Sequence, residues 1–273
     1  MKRTKRKALG QHFLKSPSVL KKIIRSIFPQ KDELIIEIGA GKGALTFPLA
    51  EKAGKVIAIE KDRSLIPYLQ RKKFLNLEIV EEDVLKVNFQ QILEKEKNFK
   101  GKVKVVGNLP YSISSPLLFK IFAARELFAQ CIFLLQSEVA ERITSQPGSK
   151  RYAPLSILFQ NYFLARLLFF VEPEAFSPPP QVRSALISLK RRDCPLYFLE
   201  KEELFHKFLK DSFRHRRKIL LNNLKRLNLP DSLLREAYEK CHLEKNVRPE
   251  QLTLSQFVEL FNFFYRNSEE KKP

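Results

Sequence analysis

A chain of 273 residues suffices for one large domain or two, and 44% hydrophobic residues with 23 Phe exclude a disordered polypeptide. Its 50 Lys and Arg stand against 30 Asp and Glu, a formal net charge of +20, which points to a polyanionic partner, nucleic acid above all. Cys131, Cys194 and Cys241 are too few and too far apart for a disulfide framework or a zinc site, no apolar stretch can span a bilayer, and the basic first residues lead into no secretory core; a cytoplasmic setting is expected.

In chain order, residues 1–31 carry ten basic residues and no acid. Arg3, Lys5, Arg6 and Lys7 form an arm expected to contact phosphate. Ser16-Pro17 then opens a helix that buries Val19, Leu20, Ile23, Ile24 and Ile27. The apolar run from Leu34 breaks into Gly39, Gly41 and Gly43, the pattern of a buried parallel strand followed by a turn that passes close to a ligand. Helices over 44–52, 64–72, 89–97 and 116–128 alternate with strands over 55–60, 77–80, 102–106 and 131–135, and a further helix begins at Ser137. That alternation means βαβ units and a parallel sheet. Residues 156–168 read as helix, the chain becomes extended at Phe169, Phe176 to Pro180 forms a rigid loop, and 182–189 is a strand. Beyond Pro195 there is no glycine, and apolar residues keep helical spacing up to a frayed end at 268–273. The expectation is an α/β, Rossmann-like domain over 1–192 and a small all-helical domain over 193–273.

Three nucleotide-binding patterns compete for the glycine stretch. A P-loop requires Ser or Thr after its lysine, but Lys42 precedes Gly43; the dinucleotide fingerprint requires G-x-G-x-x-G, and here the spacing is G-x-G-x-G. The E-x-G-x-G form of S-adenosylmethionine enzymes is left, over Glu37 to Gly41. Glu60, 21 positions after Gly39, closes the next strand where an acid meets a ribose hydroxyl pair. Asp83, at the third strand end, is placed to accept from an adenine amino group.

Asn108-Leu109-Pro110-Tyr111 follows the fourth strand. An adenine N6 lone pair is delocalised into the ring. If the Asn108 side-chain oxygen and a backbone carbonyl directed by Pro110 both accept from N6, the nitrogen becomes tetrahedral and its lone pair can attack a methyl group in line. Tyr111 supplies a stacking face for a base taken out of its helix. His206, His215 and His242 show no metal spacing, so no metal is expected. Arg214, Arg216, Arg217 and Lys218 form a basic run on an expected helix, a candidate RNA contact.

Together with Gly10 to Leu14, IEIGAGKGALT, NLPYSISSPLL, LLQSEVAERI, YAPLSILFQ and FSPPPQVRSAL, these motifs resemble the ribosomal RNA adenine dimethylases, specifically the bacterial small-subunit dimethyladenosine transferases. The resemblance implies that His12 (often Asn in relatives), Leu14, Gly39, Gly41, Glu60, Lys61, Asp83, Val84 and Asn108 hold S-adenosylmethionine. It also implies that Tyr111 and Phe176 sandwich the target base, so that Asn108, Leu109, Pro110, Tyr111 and Phe176 form the catalytic set. The implied reaction is N6,N6-dimethylation of two adjacent adenosines in the 3′-terminal hairpin loop of small-subunit (16S) RNA during assembly, by a monomer whose second domain docks on the particle. Leu109, the Gln136 to Arg142 stretch and Leu155-Ser156 favour this branch over the large-subunit methylases of macrolide resistance. A binding factor without catalysis is the third reading, and intact Glu60, Asp83, Asn108 and Tyr111 speak against it.

Overall fold

A computed structural model describes residues 11–227 and 229–269. Arg3, Lys5, Arg6 and Lys7 lie outside the described residues, as do the last four of the expected frayed end. Two compact units emerge: Leu164–Arg191 joins the chain up to Ala140, and Glu141–Phe163 joins the chain from Arg192 onward.

In the first unit, β1 (Phe13–Leu14) leads into α1 (Pro17–Ile27). The Ser16 hydroxyl accepts from the Val19 N–H at 3.5 Å, and Pro17 occupies a position with no intrahelical donor to lose. Ile23, Ile24 and Ile27 are the buried face. At the other end, Lys104 donates from within the sheet to the carbonyls of Ile27 (3.0 Å) and Phe28 (3.2 Å), where a helix leaves acceptors unsatisfied. The same ammonium pairs with Glu33 at 2.8 Å, both side chains being under 10% exposed. Lys104→Met strands a buried carboxylate and two carbonyls, and is expected to lower stability by about 3 kcal/mol. The urea midpoint reads this; a loss below about 1 kcal/mol would mean that packing replaces the pair.

The sheet follows from β2 (Leu34–Ile38), α2 (Thr46–Lys52), β3 (Lys55–Glu60), α3 (Ile66–Leu69), β4 (Leu77–Glu81), α4 (Phe89–Lys95), β5 (Val103–Asn108), α5 (Ser114–Ala123) and β6 (Gln130–Gln136). Then come α6 (Ser137–Thr144), α7 (Pro154–Tyr162), β7 (Phe163–Val171), β8 (Phe176–Ser177) and β9 (Ser184–Arg191). Among the described residues, seven strands form one sheet in the order β4-β3-β2-β5-β6-β9-β7. β4 to β6 run parallel, and β9 is antiparallel to β6. β2 and β3 are buried almost throughout, as strands covered on both faces must be. β1 and β8 pair separately, Leu14 opposite Phe176.

The helix expected over 156–168 ends at Tyr162, and β7 replaces its second half. From Leu164 to Phe170 burial alternates residue by residue, a strand period that a continuous apolar run conceals in the sequence.

The second unit adds α8 (Glu202–Ser212), α9 (Leu220–Leu224), α10 (Asp231–Lys240) and α11 (Leu254–Glu269). Phe205 meets Phe261 edge-on at 5.3 Å and Phe213 stacks on Phe257 at 5.5 Å within its core. A split at 192/193 would leave Glu141–Phe163 with the sheet, but side chains tie this segment to the helices. Tyr152 packs on Phe213 at 6.4 Å, the Tyr162 hydroxyl donates to Glu202 at 2.6 Å, and Asn161 exchanges two hydrogen bonds with the Tyr197 backbone.

The run Arg214 to Lys218 is a turn between α8 and α9, not a helix. Buried Asn223 accepts from the His215 N–H and donates to its carbonyl, which closes the turn. No helix among the described residues is long and apolar enough to cross a membrane.

Candidate active site

The chain leaves β2 towards β3 and β4 on one side of the sheet, then returns to place β5 and β6 on the other. Such a reversal opens a crevice at the carboxyl ends of the two strands flanking it, here β2 and β5. The residues that follow those two strand ends are the glycine stretch and Asn108 to Tyr111.

Gly39 and Gly41 have φ of 72° and 59°, in the left-handed region that side chains disfavour. A Cβ on Gly41 would lie 3.3 Å from the Phe13 ring, and one on Gly39 would face the Asn108 carbonyl at 3.6 Å. The loop is held from β3: Glu60 accepts from the Gly41 N–H and from the Asp62 N–H, each at 2.8 Å. Burial raises the Glu60 pKa against these two bonds and a third from the Lys61 backbone.

A cavity of about 850 Å³ opens over this loop, lined among others by Leu14, Glu37, Gly39, Gly41, Tyr111 and Gln136. A recess of about 70 Å³ adjoins it and reaches Glu60, Leu109 and Pro110; His12 and Asn108 line both. Asn108 Nδ2 donates to the His12 carbonyl at 2.8 Å. A carbonyl only accepts, so this bond assigns the amide orientation and leaves Oδ1 as the acceptor at the cavity. Leu109 has a buried side chain and donates its N–H to the Leu134 carbonyl at 3.0 Å. The Pro110 carbonyl accepts from Ile113 N and the Ser114 hydroxyl. The Pro110 carbonyl is thereby engaged, and Leu109 borders the recess.

Tyr111 shares a 2.6 Å hydrogen bond with Ser184, which is fully buried at the start of β9. Burial raises the Tyr111 pKa, so the phenol stays neutral. The His12 ring lies 5.4 Å from the Tyr111 ring, tilted by 34°. Its Nδ1 donates to the Pro178 carbonyl at 2.8 Å.

Other expected residues fall elsewhere. Phe176 is fully buried: it pairs with Leu14 and packs in the core with Ile24 and Val171. It shows no face to the cavity, so the structure does not form the expected sandwich of Tyr111 and Phe176. The cause is the ribbon of β1 and β8, which turns Phe176 inward. Lys61 and Asp83 pair with each other at 2.6 Å, and Asp83 also accepts from Leu85 N at 3.0 Å. The Lys61 hydrogen bond holds the Asp83 carboxyl below its ordinary range. Lys61, Asp83 and Val84 line neither opening.

Sequence reasoning missed Glu37 and Gln11 as site residues. Glu37 Oε2 and Gln11 Oε1 are buried acceptors without a hydrogen-bond partner, and both side chains line the cavity. Burial pushes Glu37 up to about 8, beyond what the neighbouring Thr46 hydroxyl offsets, and the Glu60 charge raises it further. An acid interrupting the apolar run LIIEI was the available signal. Buried acceptors without donors beside a glycine cradle suit a ligand that brings a diol and a cation. Among the described residues, no group of three or more His, Cys, Asp or Glu side chains is arranged to hold a metal.

Comparison with known proteins adds the chemistry. The family model described as Ribosomal RNA adenine dimethylase matches residues 2–266. A relative from Lachnoclostridium phytofermentans, named Ribosomal RNA small subunit methyltransferase A, is 41% identical over 261 residues, 93% of this chain and 89% of its own. The solved dimethyladenosine transferase from Plasmodium falciparum superposes with a TM-score of 0.78 at 28% identity, covering 94% of this chain and 98% of that one. The 23S rRNA methyltransferase ErmE does so at 0.72 and 23% identity, over 92% and 98%, which shows a shared fold alone. With a family model spanning nearly its whole length and a relative at this identity, the chain belongs to the ribosomal RNA adenine dimethylase family.

Proposed function

We propose that this chain dimethylates N6 of two adjacent adenosines in the 3′-terminal hairpin loop of 16S RNA during small-subunit assembly, with S-adenosylmethionine as donor. The observation that carries this reading is Asn108: pinned to the His12 carbonyl through Nδ2, it presents Oδ1 to the cavity beside Tyr111.

When bound, S-adenosylmethionine supplies an electrophilic methyl group on a sulfonium. The glycine loop would hold it together with Glu60, which would accept from the ribose hydroxyls, and Asp83, outside both openings and kept ionised by Lys61, which would accept from the adenine amino group. Glu37 provides the counter-charge for the cationic end. Leu14 and the His12 backbone close the near side. On the acceptor base, Asn108 Oδ1 and the Leu109 carbonyl draw the N6 hydrogens, so that the lone pair turns towards the methyl group. Tyr111, held by Ser184, supports the base from one face. The methylated nitrogen is acidic, and its proton leaves to water.

The second unit supplies the docking surface in this reading. Arg216 donates to the carbonyls of Lys150 (2.6 Å) and Tyr152 (2.7 Å) and so ties the turn to α7's leading segment; Arg214, Arg217 and Lys218 are exposed. Neutralising these three is expected to flatten the salt dependence of RNA binding by a slope of about 0.7–0.9 for each phosphate that they neutralise. Arg216→Ala is expected to lower stability instead, by about 1–2 kcal/mol. A salt slope unchanged in the triple variant would leave this turn without a role in RNA binding.

Labelled methyl transfer tests the whole reading, with unmethylated small subunits, naked large-subunit RNA and an Asn108→Ala control. Transfer to the small subunit alone is expected. Transfer only to large-subunit RNA would move the protein to the resistance-type branch, and none to either would leave a non-catalytic assembly factor.

A further inference from the structure

The segment just before β9 works on two faces. Ser184 points inward and holds Tyr111, whereas its neighbour Arg183 is exposed, as alternation along an extended chain requires. The Arg183 guanidinium lies over the Phe170 ring of β7, 3.9 Å from its centroid. Phe170 remains 39% exposed at the edge of the sheet. The two residues before Arg183, Gln181 and Val182, line the mouth of the cavity that holds Asn108 and Tyr111. The Arg183 carbonyl accepts from Ser137 N at 3.0 Å, next to Gln136, another lining residue. An aromatic-guanidinium pair therefore adjoins the lining segment Gln181-Val182, in a protein carrying a net charge of +20.

We infer that Phe170 and Arg183 form a second nucleotide site, a platform on which the base next to the target adenosine stacks. Single-stranded RNA is recognised largely by stacking on aromatic rings and guanidinium planes. A base drawn into the cavity brings its chain neighbour to the segment that Gln181 and Val182 share with Arg183. The inference rests on the reading of the site as an RNA adenosine methylase, and it adds how two adjacent bases are handled: one enters between the acceptors while the other waits on the platform.

Phe170→Leu tests this, because it keeps apolar cover on the edge strand and removes the aromatic face; Arg183→Gln removes the charge. The KM for unmethylated small subunits should rise about tenfold in each variant, with kcat and S-adenosylmethionine affinity little changed. Fluorescence titration of a hairpin RNA with two adjacent loop adenosines should show the same loss of affinity. Wild-type KM and hairpin affinity in Phe170→Leu would overturn the platform while leaving the methylase reading intact. Conversely, a wild-type protein that binds the hairpin through Phe170 but transfers no methyl would sink the methylase reading and keep the platform. If the wild-type protein neither transfers methyl nor binds the hairpin, both fall.

Discussion

Replacing Asn108 by Ala is expected to reduce methyl transfer by a hundred- to a thousandfold, with a far smaller effect on S-adenosylmethionine affinity. The magnitude is that of deleting one preorganised dipole aimed at charge that develops only in the transition state. In the proposed reaction the charge is positive, on N6, and the dipole is the Oδ1 end of an amide whose other end is fixed at 2.8 Å from the His12 carbonyl. That anchor makes the dipole rigid, so no reorganisation accompanies the reaction. Asn108→Asp separates the two functions of the side chain. It keeps an oxygen towards the cavity but turns another against the His12 carbonyl, where two acceptors repel, so the near wall of the site should loosen. Single-turnover rates with labelled donor, beside equilibrium dialysis of the donor, read the two effects separately. Asn108→Ala activity within tenfold of wild type would show that positioning by Tyr111 and the backbone suffices without the amide.

Much of this site is legible in the amino-acid sequence alone. Buried strands announce themselves as short apolar runs closed by glycine or acid, which places β2, β3 and β5 and, with them, Gly39, Glu60 and Asn108 at one crevice. Residues whose role depends on a partner distant in sequence are not legible. Phe176 lies in a motif that resembles a base clamp, yet its orientation is decided by pairing with Leu14, 162 positions earlier, and the ribbon buries it. Arg216 belongs to a basic run but is fixed by the carbonyls of Lys150 and Tyr152, which no local pattern reveals. β7 escapes for another reason: FLARLLFFV is apolar on both periods, and only its edge position, which leaves every second residue exposed, distinguishes strand from helix.

Glu37 yields the second large effect, on pH. Its carboxyl is displaced from 4.5 to about 8 by burial, so between those values the folded protein holds a proton that the unfolded chain has released. Stability is then fully present below the unfolded value and is lost as pH rises from it through the folded one, by on the order of 5 kcal/mol in total. Glu37→Gln removes that titration while keeping the shape. Urea midpoints for both proteins should diverge in favour of the Gln variant from pH 5 to about 8 and then level off, and a gap that does not change with pH would refute the buried proton. Donor binding runs the other way. A cationic ligand favours the ionised carboxylate, so wild-type affinity for S-adenosylmethionine should climb up to about tenfold per pH unit below 8, with proton release visible as a buffer-dependent binding enthalpy. In Glu37→Gln the affinity should be weak and flat across the same range. The buried acid thus destabilises the empty fold at neutral pH; if the donor's sulfonium lies beside it, binding would relieve that cost, and the demethylated product, which keeps its ammonium but lacks the sulfonium, is expected to show a shallower rise of affinity with pH.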